Sequence, residues 1–125
     1  RVQYPDSIFN TSDLEADMEH IFAAAMEKDV LAGKILSESA EYFAISIHNM
    51  MMTFDPEMVI IQGEYARAGE DFLHEICKRV TQLNVFGLDR IPHISLSKVR
   101  NTEDLLKGYA YFSILNYIAE KEPYR

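Results

Sequence analysis

The stretch "DPEMVIIQGEYARAG", from Asp55 to Gly69, constrains this chain more than any other. No polar residue alternates with the apolar ones between Met58 and Ile61. A strand with one wet face alternates with a period of two. An unbroken β-branched run therefore predicts a strand covered on both faces, the habit of parallel sheets. Pro56 disfavours helical angles at Asp55, so any preceding helix should end there. Gly63 closes the strand, and a helix is predicted directly after it, with Ala66, Phe72, Leu73, Ile76, Cys77 and Val80 on its apolar side. A second strand lies in "PHISLSKV", with Ile94, Leu96 and Val99 as its apolar positions. Strand, helix and strand make a β-α-β unit, which requires a parallel sheet.

Helices flank this unit. Ser12 and Glu15 have the spacing of a capping box, and Leu14, Met18, Ile21, Phe22 and Ala25 follow at helical intervals. That helix should end near Lys28 and Asp29. A longer one follows, with Leu31, Ile35, Leu36, Ala40, Phe43, Ala44, Ile47, Met50, Met51 and Phe54 as a wide apolar stripe. A last helix is capped by Asn101 or Thr102. Glu103 and Asp104 lie in its first turn, where the macrodipole favours negative charge. Two strands make a thin sheet for four helices, and its open edges call for another segment to cover them. The chain also begins at Arg1 rather than Met. Both features lead to the expectation that residues 1–125 are a segment of a longer protein.

Composition narrows the function. At 125 residues and 48% hydrophobic, the chain suits one domain with a real core. Its net charge of −8 comes with no cluster of Lys and Arg, which argues against a grip on DNA or on an anionic membrane. The lone Cys77 forms no internal disulfide and no CxxC pair, so a reducing cytoplasm is the expected setting. No apolar run reaches the roughly 18 residues of a membrane span.

Candidate chemical groups are few. His20, His48, His74 and His93 stand in no metal-ligand spacing and are expected in surface or capping roles. Cys77 sits among Phe72, Leu73, Ile76 and Val80 and reads as a buried small hydrophobe. Of Met50, Met51 and Met52, helix spacing places two in the core. Asp55, Glu57, Glu64, Glu70 and Asp71 gather around the strand end, but no nucleophile, base or metal ligand accompanies them. They read as turn and helix-start residues, and no catalytic residue or metal site is expected.

The order of motifs resembles a known family. A long helix ending in Asp55-Pro56-Glu57, then "MVIIQG", "ARAGEDFLHEI" and "IPHISLSKVRNTEDLLKGYAYFSI", is similar to the C-terminal part of ROK family proteins, a group of repressors, unassigned reading frames and sugar kinases. The resemblance runs from roughly residue 12 to residue 119, and implies an α/β fold: part of an actin-like ATPase (ribonuclease H-like) lobe, with helices packed on a small parallel sheet. It also implies that the family's catalytic Asp, its Glu-x-Gly-His sugar segment, its zinc motif and the winged helix-turn-helix of its repressors all lie upstream, outside this chain.

Two departures from the kinases stand out. Kinase members carry two or more glycines after the strand, where backbone approaches the nucleotide. Here Gly63 is followed by Glu64 and Tyr65. A carboxylate about 4 Å from a phosphate costs on the order of 1–4 kcal/mol per charge pair. Gly63 and Glu64 thus mark a degenerate nucleotide site. Kinases also read Asp-Ala-Gly at the last helix, where this chain has Asp104-Leu105-Leu106. The expected role is the C-terminal effector-lobe and oligomerisation segment of a sugar-responsive repressor, not catalytic by itself and with no cofactor in this segment. Homo-oligomers are expected, no membrane, and contact with sugar or DNA only through regions outside the chain. The alternatives are the same segment of an ATP-dependent sugar kinase, or an unrelated α/β interaction domain.

Overall fold

The structure, a computed structural model, describes residues 4–10, 17–84, 90–99 and 102–121. After a 3-10 turn at Ile8–Asn10 come helix α1 (Met18–Met26) and helix α2 (Val30–Phe54). Strand β1 (Met58–Ile61) leads through a second 3-10 turn, Glu64–Arg67, into helix α3 (Glu70–Leu83). Strand β2 (His93–Leu96) and helix α4 (Thr102–Lys121) complete the order.

Local chemistry sets these boundaries. Asp17 caps α1, its carboxylate accepting from the His20 N–H at 2.9 Å. The predicted capping box at Ser12 and Glu15 lies outside the described residues, as does Asn101. Lys28, at φ 63°, turns the chain sharply after α1. Asp29 then caps α2 through the Ala32 N–H at 3.0 Å. The same buried carboxylate accepts from the Ser7 hydroxyl and the Ile8 N–H, at 3.1 and 2.8 Å. It thereby ties the N-terminal segment to the α1–α2 corner. At its far end α2 stops at Asp55, as Pro56 predicts, with Asp55 left-handed (φ 43°, ψ 56°) rather than extended.

The core lies between α2 and α3. Ala40, Ala44, Ile47 and Met51 meet Phe72, Ile76 and Val80 in one buried cluster. The alanines let the two helices approach closely. Burying each of the fully enclosed Ile47, Ile76 and Val80 is worth about 1.5–3 kcal/mol. Four expectations fail here. Of the three methionines only Met51 is buried, since Met50 and Met52 point outward. Phe54, placed on the apolar stripe, is 76% exposed at the last turn of α2. His48 is half-buried rather than superficial, and its Nε2 is enclosed without a hydrogen-bond partner among the described residues. The helix expected directly after Gly63 is a 3-10 turn, with α3 starting seven residues beyond that glycine.

The two strands pair in parallel, with Met58, Val59, Ile60 and Ile61 opposite His93, Ile94, Ser95 and Leu96. The β-α-β unit is present, with α3 as its crossover. Val59, Ile61, Ile94 and Leu96 join the α2–α3 core. Met58 and Ile60, on the other face, are 54% and 58% exposed. The strand predicted to be covered on both faces is thus covered on one, because no described element packs on the other. Val99, predicted inside the second strand, falls beyond its end and is exposed.

Helix α4 differs from the others. From Glu103 to Ala119 every side chain is exposed except Leu105, which is half-buried. Among the described residues no helix is long and apolar enough to cross a membrane.

Candidate functional site

The turn that follows β1 is the place where a ligand-binding α/β protein would present backbone to a substrate. Gly63 adopts φ 87° and ψ −154°, and Gly69 adopts φ 90° and ψ 175°. Both conformations are close to glycine-only. Gly69 is the glycine that reading the sequence around Gly63 missed; the turn has two hinges, six residues apart. An added Cβ at either meets no atom within 4 Å, so the backbone, and not crowding, requires glycine there.

Between the hinges the chain is committed to its own packing. The Ala66 and Ala68 N–H groups donate to the Gly63 and Tyr65 carbonyls, each at 3.1 Å. Those amides face the chain, whereas a phosphate cradle needs them free. Ala66 is buried. The Tyr65 ring lies nearly parallel to Phe72, with centroids 5.6 Å apart, and meets Phe43 and Phe22 edge-on at 5.0 and 6.0 Å. Its hydroxyl is 3.1 Å from the Ser39 hydroxyl on α2. Four aromatic rings therefore clamp the turn to α1, α2 and α3. Sequence reasoning named Tyr65 only as the neighbour of Glu64. Its seven-residue spacing from Phe72 was the available signal.

Glu64 stands at the first position of the 3-10 turn, where a helix was expected, and is exposed. It lines a small cavity of about 220 Å³ together with Asp17, Glu19, Phe22 and Arg67. Arg67 pairs with Glu19. Asp17 receives the His20 N–H and lies 2.8 Å from His20 Nδ1; the backbone bond, foremost, holds its carboxyl below the ordinary range. Three carboxylates thus surround one guanidinium that already has a partner, a field that repels anions.

A larger cleft of about 400 Å³ opens between α1, α2 and the start of α3. Phe22, Met26, Leu36 and Phe72 line it, together with Asp71 and Glu75. Arg79 donates to Glu75 (2.9 Å), Glu41 (3.2 Å) and the Ser37 hydroxyl (2.8 Å), bridging α2 and α3. The hydrogen bond from Arg79, first, keeps the Glu75 carboxyl below its usual range. Glu70 and Asp71 occupy the first turn of α3, and Asp55 and Glu57 lie near Arg90 at the surface. Burial raises the Cys77 thiol, which disfavours its nucleophilic thiolate. No group of three or more His, Cys, Asp or Glu that could hold a metal ion occurs among the described residues.

The model of the ROK family matches residues 7–111, most of the chain. This chain therefore belongs to the ROK family, as its mixed α/β architecture and the order of its motifs lead one to expect. No curated protein and no solved structure matches it.

Proposed function

We propose that this chain is the C-terminal effector-lobe and oligomerisation segment of a sugar-responsive ROK-type transcriptional repressor. In this reading the lobe is part of an actin-like fold, and the glycine turn is retained as scaffold with its nucleotide site disabled. One observation carries the reading: Glu64 stands beside Asp17 and Glu19 at the mouth of a turn whose backbone is pinned by Tyr65. Phosphoryl transfer rests on cationic and N–H groups aimed at phosphate. Here the nearby side-chain charge is mainly negative and the Ala66 and Ala68 amides are engaged. The net charge of −8 supports assigning any contact with DNA to regions outside these residues.

The test is titration calorimetry with magnesium-ATP. No heat of binding is expected up to millimolar nucleotide, and Glu64→Gly is expected to recover only weak binding. A dissociation constant in the low micromolar range for the unaltered chain would overturn the proposal and favour a kinase.

A further inference from the structure

The cleft between α1, α2 and α3 takes no part in the proposed function. Among the described residues it shares only Phe22 with the small cavity at Glu64. At about 400 Å³ it falls within the size range of small-molecule sites, roughly 300–1,000 Å³. Three helix faces form it. Phe22 and Met26 on α1, Gly33 and Leu36 on α2, and Phe72 and Glu75 on α3 stand three or four residues apart within each pair, the spacing of neighbours on one face. Sites built on helices hold their geometry better than sites on loops. Met26 is 84% exposed here, an apolar wall without cover.

Gly33 is the residue of this cleft that the fold does not explain. Glycine inside a helix is destabilising relative to alanine. Its φ is not positive, and an added Cβ would meet no atom within 4 Å. Neither the backbone nor a close neighbour requires glycine there. What Gly33 leaves is room, since the bare helix backbone becomes part of the cleft wall.

Charge selects what fits that room. The described polar side chains of the lining are Ser37, Asp71 and Glu75. Arg79 donates to the Ser37 hydroxyl and to Glu75, and Lys78 lies 3.7 Å from Glu75. Asp71 is exposed and pairs with no cation among the described residues. The macrodipole of α3 accounts for an acidic residue in its first turn, but not for the open apolar surface beside it. A polyol needs several hydrogen-bonding groups, and only Asp71 is uncommitted. An anion meets two carboxylates. We propose that this cleft binds a small organic cation, a primary amine on an aromatic body. Its ammonium pairs with Asp71, and its ring lies against Phe22, Leu36 and Met26 beside Gly33. Such a ligand touches all three helices and braces α1 against the α2–α3 pair. The proposal goes beyond the proposed function and rests on none of its parts, so the nucleotide titration leaves it untouched.

The test is methyl NMR of the 125-residue chain titrated with phenethylamine. Phenethyl alcohol is the uncharged counterpart and phenylpropionate the anionic one. The amine should shift the Met26 and Leu36 methyl signals saturably in the millimolar range. The alcohol should bind about two- to fivefold more weakly, the worth of one exposed ion pair, and the acid not at all. Asp71→Asn should bring the amine down to the level of the alcohol and leave the alcohol unchanged. Gly33→Leu should abolish binding of both, with the thermal midpoint kept or raised, because leucine is the better helix former. Asp71 is exposed, so its variant folds and decides the matter even where Gly33→Leu does not fold. An amine titration without saturable shifts would overturn the proposal. So would an acid that binds as tightly as the amine, an amine affinity indifferent to Asp71→Asn, or full binding by folded Gly33→Leu.

Discussion

Gly63 holds a backbone conformation that side chains avoid for reasons intrinsic to the residue. Its ψ of −154° lies far from the left-handed helical region, so even Asn, which tolerates that region, gains nothing here. Because the space around an added Cβ is empty, Gly63→Ala tests the torsional cost alone. The expected loss is about 1–3 kcal/mol in urea unfolding with an unchanged m-value, and Gly63→Asn should lose as much. Equal stability of either variant and the parent would mean that the turn relaxes freely. Glu64 beside it is a different case: its exposed side chain supports no fold, so its consequence is electrostatic.

Among the elements, the corner between α1 and α2 depends on one carboxylate. Asp29 caps α2 and holds the N-terminal segment through Ser7 and Ile8, while Lys34 reaches the Tyr4 hydroxyl at 2.7 Å. The Ala32 N–H first, then the Ile8 N–H and the Ser7 hydroxyl, hold the Asp29 carboxyl below its ordinary value. A carboxyl lowered by folding contributes stability that is fully present above its unfolded value, about 3.9. That stability is lost as pH falls through the folded value. The urea midpoint should therefore drop as pH falls below about 4. Asp29→Asn should be less stable at neutral pH and show a shallower acid loss. An unchanged acid limb in the variant would place that loss at other carboxyl groups.

At the scale of the whole molecule, the body and α4 have different dependences. The α2–α3 core is buried together with the inner sheet face, whereas most of α4 and of the outer sheet face is exposed among the described residues. If, as proposed, copies of the chain associate, its stability is tied to its own concentration. The thermal midpoint should thus rise as protein is concentrated from low to high micromolar. A midpoint that does not move in the unaltered chain would count against pairing.

The sequence by itself determined the order of the main helices and strands of the body, the parallel pairing and the family. These follow from short-range chemistry: Pro56 after Asp55, the unbroken β-branched run Val59-Ile60-Ile61 and the helical spacing of Phe72, Ile76 and Val80. The place of Gly63 and Glu64 at the end of β1 was legible for the same reason, the two being neighbours in the chain. Tyr65 as the clamp on that turn was not, nor were Asp17 and Glu19 around Glu64, because their partners stand on other helices. Periodicity says that a residue is apolar, but not which neighbour covers it. Met50, Phe54 and Ile60 read as buried and are exposed, since burial is decided by what packs across the element. Only the tertiary structure showed that, among the described residues, one face of the sheet is exposed and α4 is exposed along almost its whole length.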